Sequence, residues 1–185
     1  ILHLPFTNAG IIDKSQSARH VALYGDVKSS ETESKYLSTS MYFDGTGDYI
    51  RLENQGLSNF GTQPFTIEGW FYLTVSPSNY ITVVQSRNTS WSTVGWEITI
   101  SSSDFYFDVN GSVVAKGSAI NQNTWYHYAV TRDASNNVRM FLDGTQVGST
   151  ASNTSDFTLD QFWLGAKSNV FESGGDVARY FTGYM

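Results

Sequence analysis

Residues 124–148 carry the clearest pattern in the chain. From Trp125 to Arg132, aromatic and β-branched residues alternate with polar ones, the period of a pleated strand. Asn136-Asn137 and Asp143-Gly144 follow as two turns whose residues tolerate the left-handed backbone of a tight hairpin. Between them Val138, Met140 and Leu142 fall on one face, and Arg139 and Phe141 on the other. The block predicts three strands, with Trp125, Val130, Met140 and Leu142 in packing roles.

The same period runs through the rest of the chain. Residues 2–6 read as a short first strand, with Pro5 at an edge or end. A second short strand is expected at 20–24, then a charged surface connection over 28–35. Residues 40–52 predict a hairpin turned at Asp44-Gly45 and Thr46-Gly47-Asp48, with Met41 and Phe43 on one face and Ile50 and Leu52 on another. Residues 65–73 become apolar on both faces, as expected of a central strand covered on both sides. Further strands are expected at 80–85, 95–100, 105–109, 112–115 and 162–166, and residues 180–185 begin a last one. Residues 87–93 and 169–176 read as loops. About a dozen strands with almost no helical pattern predict an all-β, two-sheet antiparallel sandwich in a single domain over 1–185.

Composition narrows the functions. Eleven Lys and Arg stand against 17 acids, a net charge of −6, with no basic run, so nucleic acid and anionic membrane are not expected partners. With no cysteine there is no disulfide, thiolate nucleophile or Cys-ligated metal. That suits assembly in a reducing cytoplasm, including that of a virion protein. No apolar run approaches the ~20 residues of a membrane span, and no signal peptide is evident. The chain starts at Ile1 without Met, so it reads as a processed product or an excised piece.

Three segments together resemble the laminin-G-like, concanavalin A-like lectin/glucanase superfamily. They are Met41-Tyr42-Phe43-Asp44-Gly45-Thr46-Gly47-Asp48-Tyr49-Ile50, then Phe65-Thr66-Ile67-Glu68-Gly69-Trp70, then residues 125–132 with 138–144. Phe162-Trp163-Leu164-Gly165 and Phe181-Thr182-Gly183-Tyr184 follow in order, so the likeness covers nearly the whole chain. Its flavour is that of domains in tailed-phage virion and tail-fibre proteins. The resemblance implies a jelly roll, a glycan site on the concave face or rim, and in some members Ca²⁺ at the rim. In that family the strand begun by Phe181 runs on past the position of Met185. The sandwich is therefore expected to lack its last strand here and to show an unpaired edge, filled by further residues or by a neighbouring chain.

The candidate chemistry is sparse. A glucanase needs carboxylates on alternate positions of one strand, flanking the glycosidic bond. Only Glu31 and Glu33 have that spacing, in a charged loop, so an enzyme is not expected. His127, between aromatics, reads as structural. Glycan binding asks for an exposed aromatic beside amides. Trp91 with Asn88, Tyr80 and Asn169 fit that composition, whereas Trp70, Trp96, Trp125 and Trp163, all in strands, read as core. Asp44, Asp48 and Asp143 are candidate Ca²⁺ ligands, although an Asp in a turn more often bonds its own backbone. The expected function is a non-enzymatic structural or adhesive module of a virion, as capsid decoration or tail fibre. It would bind host-surface glycan or dock on other virion proteins, alone or as a homo-oligomer. The alternatives are an extracellular carbohydrate-binding module of a cellular protein, or a glucanase.

Overall fold

A computed structural model describes residues 4, 11, 13–53, 57–77, 79–87, 94–102, 104–159, 161–168 and 177–185. The expected strand at 2–6 lies outside them, apart from Leu4. Among the described residues there are 16 strands and no helix. Sheet I has seven strands, in the order β1 (Ala22–Tyr24), β4 (Tyr49–Glu53), β13 (Gln161–Leu164), β6 (Ile81–Ser86), β7 (Trp96–Ile100), β8 (Phe105–Val109) and β9 (Ser112–Gly117). Sheet II also has seven, in the order β12 (Thr145–Ser152), β11 (Asn137–Leu142), β10 (Trp125–Arg132), β5 (Phe65–Leu73), β16 (Thr182–Tyr184), β3 (Ser40–Asp44) and β2 (Lys28–Ser30). A small third pair joins β14 (Lys167–Ser168) to β15 (Val177–Ala178). All pairings in the two large sheets are antiparallel, so the chain is the expected jelly-roll sandwich.

Alternation fixes which side chains go inside. Met41, Phe43, Phe71, Val130 and Met140 of sheet II face Ile50, Trp96, Ile98, Phe105 and Phe107 of sheet I, all at most 1 % exposed. Each large apolar side chain so buried contributes about 1.5–3 kcal/mol. With no disulfide, this core and the ladders are the cohesion of the fold. The meander β10–β11–β12 forms as its turns demand. Asn136 has φ +62°, and Asp143-Gly144 has φ +47° and +78°. Asn110-Gly111 likewise closes β8 on β9, with φ +51° and +78°.

Residues 40–52 are not a hairpin. β3 lies in sheet II and β4 in sheet I, so the turn at 45–48 crosses from one sheet to the other. Asp48 braces the crossing. Its fully buried carboxylate accepts the Asp44 N–H at 2.9 Å and the Asp26 N–H at 2.8 Å. Residues 28–30 are an edge strand rather than part of a connection. β5 is central in sheet II, but its outward residues Thr66 and Glu68 are exposed and Trp70 and Tyr72 half-buried, so only one face is covered.

β10 pairs with β5 from Phe65 to Tyr72, whereas β16 pairs with β5 only at Leu73 and Tyr72. Beside the rest of β5 on that side, among the described residues, lies a cavity of about 400 Å³. It is bounded by Ile67 to Trp70 on one side and Tyr36, Leu37 and Ser40 on the other.

Candidate functional site: an aromatic row on the outer face of sheet II

In sheet II every second residue points away from the core, and register brings five of them into line. Lys28 stands opposite Tyr42, Tyr42 opposite Tyr184, Tyr184 opposite Tyr72, and Tyr72 opposite Trp125. Four strands thus place four aromatic rings side by side. Ring centroids are 5.1 Å apart for Tyr42–Tyr184, 5.8 Å for Tyr184–Tyr72 and 5.5 Å for Tyr72–Trp125. These spacings suit tilted and edge contacts, which aromatic quadrupoles favour over a face-to-face sandwich. Lys28 ends the row, its ammonium 5.7 Å from the Tyr42 ring centre.

A second row runs beside it. Trp70 is opposite His127 on the ladder, with ring centres 5.1 Å apart. Tyr36 meets Trp70 edge-on at 5.5 Å, and the Lys35 ammonium lies 4.5 Å from the same ring. The His127 Nε2 is 3.7 Å from the exposed Glu68 carboxylate. The Tyr72 hydroxyl is pushed above its usual range by desolvation, and then by the Glu33 carboxylate that accepts its hydrogen bond. The face therefore joins flat apolar rings to a fringe of hydroxyls, an imidazole, two carboxylates and two ammonium groups. That is the chemistry that grips sugar rings from one side while hydrogen-bonding their hydroxyls.

Trp70 and Trp125, expected in the core, are half-buried on this outer face. Trp96 is core, at 1 % exposure. Trp163 is buried, but on the outer side of sheet I, stacked on Tyr49 at 5.0 Å and covered by the Arg51 guanidinium at 4.7 Å. The sequence does carry the signal for the row, because Trp70 and Tyr72 alternate with Phe71 and Leu73. It does not say which of the two apolar sets faces out.

Of the loop candidates, Asn88, Trp91 and Asn169 lie outside the described residues. Tyr80 is 47 % exposed, 5.8 Å from Tyr106 and with the Arg179 guanidinium over its ring at 4.8 Å. It borders a buried charged cluster on the outer face of sheet I. There Glu97 receives Arg87 at 3.3 Å, Lys167 at 3.4 Å and Arg179 at 3.8 Å, all on Oε1. Asp108 stands opposite Glu97 on the ladder. Burial, then the charge of Glu97, pushes the Asp108 carboxyl up to about 6. Gln85, Thr82 and Thr99, at 0 % exposure on the same face, have side-chain polar atoms without a hydrogen-bond partner. Spacing along one strand did not reveal the Glu97–Asp108 pair, because its members come from neighbouring strands.

The acids proposed for Ca²⁺ separate. Asp44 and Asp48 come together with Asp26, one carboxylate oxygen of each within 4.8 Å of the others. Both Asp48 oxygens already accept backbone N–H groups, and Asp44 Oδ1 accepts the Thr46 N–H. Local hydrogen bonds thus account for this group as a turn brace, and it is a poor fit to a cation. Asp143 sits at the β11–β12 turn outside that group, where its Oδ1 accepts the His127 N–H at 2.9 Å.

The model of the Concanavalin A-like lectin/glucanases superfamily matches residues 44–185, and the chain belongs to this family. No curated protein matches it. Similar solved structures include receptor-binding domains of botulinum neurotoxins. One is of botulinum neurotoxin type C, in work stating that the toxin enters cells dependent upon interaction with two ganglioside molecules. It is 17 % identical with a TM-score of 0.67, over 89 % of this chain and 42 % of the toxin chain. Two are of the neurotoxin DC binding domain, each 15 % identical over 89 % of this chain with a TM-score of 0.67. The one with rat synaptotagmin II is covered over 43 % of its length, and the one with SialylT over 42 %. The chain thus spans less than half the length of these neighbours. At such identity the likeness establishes the fold.

Proposed function

We propose that this domain is a non-enzymatic carbohydrate-binding module that carries an adhesive or structural role on a virion, as capsid decoration or tail fibre. The aromatic row Tyr42–Tyr184–Tyr72–Trp125 is the observation that carries the binding role. Tyr42, Tyr72 and Trp125 are half-buried on the outer sheet face rather than in the core, and they offer sugars stacking surface beside hydrogen-bonding groups. Neighbours of the same fold are described with gangliosides, SialylT or rat synaptotagmin II, which supports a scaffold suited to host-surface recognition. The lack of cysteine and of any basic run fits a virion protein assembled in a reducing cytoplasm and directed to glycan rather than nucleic acid.

The non-enzymatic part rests on burial. Glu97 and Asp108 are the acids that sit face to face across two strands, yet they are 2 % and 8 % exposed, and Glu97 is tied to three cations. That burial and pairing support a structural role for the two acids. The test is a glycan array probed with labelled wild-type protein and with Tyr72→Ala. Binding by wild type that weakens at least tenfold in the variant is expected. An array with no glycan above background sinks the binding role. Hydrolysis of β-glucans that Glu97→Gln abolishes would sink the non-enzymatic one.

A further inference from the structure

Resting on that reading, we propose that the row takes an unbranched, uncharged polysaccharide laid across the strands of sheet II, along the line from Tyr42 to Trp125, rather than the tip of a branched glycan. The shape of the row carries this. Its four rings occupy directly opposed ladder positions on β3, β16, β5 and β10, so they advance along a straight line at steps of 5.1, 5.8 and 5.5 Å. Such steps follow from the ~4.8 Å spacing of hydrogen-bonded strands. A terminal sugar would meet one of the half-buried rings Tyr42, Tyr72 and Trp125 and leave the other two idle. An extended chain meets all three, passing over Tyr184, which is buried between Tyr42 and Tyr72.

Charge selects a neutral chain. The cations along this face are already engaged. Lys28 is 3.7 Å from Asp26, Arg139 is 2.8 Å from Asp133, Lys35 lies over Trp70, and His127 stands beside Glu68. Glu33 and Glu68 border the same rows, so a carboxylated or sulfated chain would meet acids as often as bases. Hydroxyl groups meet no such conflict.

Calorimetric titration of the whole chain with cello-, xylo- and manno-oligosaccharides of one to six sugars tests this. Affinity for at least one series should rise roughly 2- to 10-fold with each added sugar, the scale of one ring contact, and level off at about the fourth. Trp125→Ala should move the plateau one sugar shorter, and Trp125→Phe, which keeps a ring, should leave it in place. Tyr42→Ala, at the other end of the row, should shorten it in the same way. A monosaccharide bound as tightly as a tetrasaccharide overturns the inference while leaving a glycan-binding domain. Tighter binding of sulfated or uronic-acid chains of the same length overturns its neutral half. Absence of binding by any glycan, neutral or acidic, overturns the reading on which it rests.

Discussion

At the scale of single residues, the two most informative side chains are buried charges. Arg132 points inward from β10 at 2 % exposure. Its guanidinium donates to the carbonyls of Gly61, Gln63 and Ser155 at 2.7–3.2 Å and lies against the rings of Phe65 and Phe157. Arg132→Met should destabilise by about 2 kcal/mol or more, because three partly exposed carbonyls lose a charged donor and the hydrogen bonds of a charged group contribute about 1.5–3 kcal/mol. Lys cannot reproduce the planar fork, so Arg132→Lys should recover little. Denaturant melts of the three proteins would show it. Asp108 works in the opposite direction. The folded protein keeps its proton up to about pH 6, while the unfolded chain releases it near 3.8. The folded state therefore binds more protons between those values, and the contribution of Asp108 to stability falls as pH rises from about 4 to 6. The shift corresponds to about 3 kcal/mol. Asp108→Asn should raise the melting temperature at pH 7 and flatten its slope across that window. A variant no more stable than wild type at pH 7 would show that the ionised group is worth more to Arg87, Lys167 and Arg179 than its burial costs.

At the scale of elements, β16 is the keystone of sheet II. Its three residues pair with β3 on one side and β5 on the other. Gly183 makes this possible, since its φ is +143° and an added Cβ would come within 2.0 Å of the Tyr72 carbonyl oxygen on β5. Gly183→Ala should push β16 off β5 and lower stability by about 3 kcal/mol. The crossing turn offers a second check. Asp48→Ala strands two N–H groups and should lower stability by about 2 kcal/mol or more, whereas added Ca²⁺ should leave the wild-type melting temperature unchanged. A Ca²⁺-dependent rise that Asp48→Ala abolishes would restore the metal reading. These elements also show what the sequence conveys. The turns at Asn110-Gly111, Asn136 and Asp143-Gly144 were legible because turn chemistry is local. The pairing of 40–44 with 49–53 was misread, because Asp44-Gly45 serves equally to fold a hairpin or to cross between sheets. The other partners of β3 and β4 decide between the two, and those that tie them into the sheets, β16 and β13, lie more than 100 residues away. The aromatic row was hidden for a related reason. Phe71 and Trp70 are equally apolar, and only register with β16 and β3 reveals that Tyr72 belongs to a line of rings.

At the scale of the molecule, the strand order leaves no part able to fold alone. β13 lies between β4 and β6 in sheet I, and β16 lies between β5 and β3 in sheet II, so the last 25 residues hold the middle of both sheets. Without β13, β4 and β1 lose their attachment to β6. Without β16, β3 and β2 lose theirs to β5. Phe181 and Met185 would leave the core at the same time. Unfolding should accordingly be one cooperative transition, with far-ultraviolet circular dichroism and tryptophan fluorescence melting together. Such long-range pairings must form before they are rewarded, so refolding should be slow, on the order of milliseconds to seconds. A chain cut after residue 160 should show no cooperative melt and should bind no glycan, even though Tyr42, Tyr72 and Trp125 remain in it. Retention of a sharp melt by that shortened chain would mean that the first 160 residues form a self-sufficient unit, and that the sandwich does not depend on its final strands.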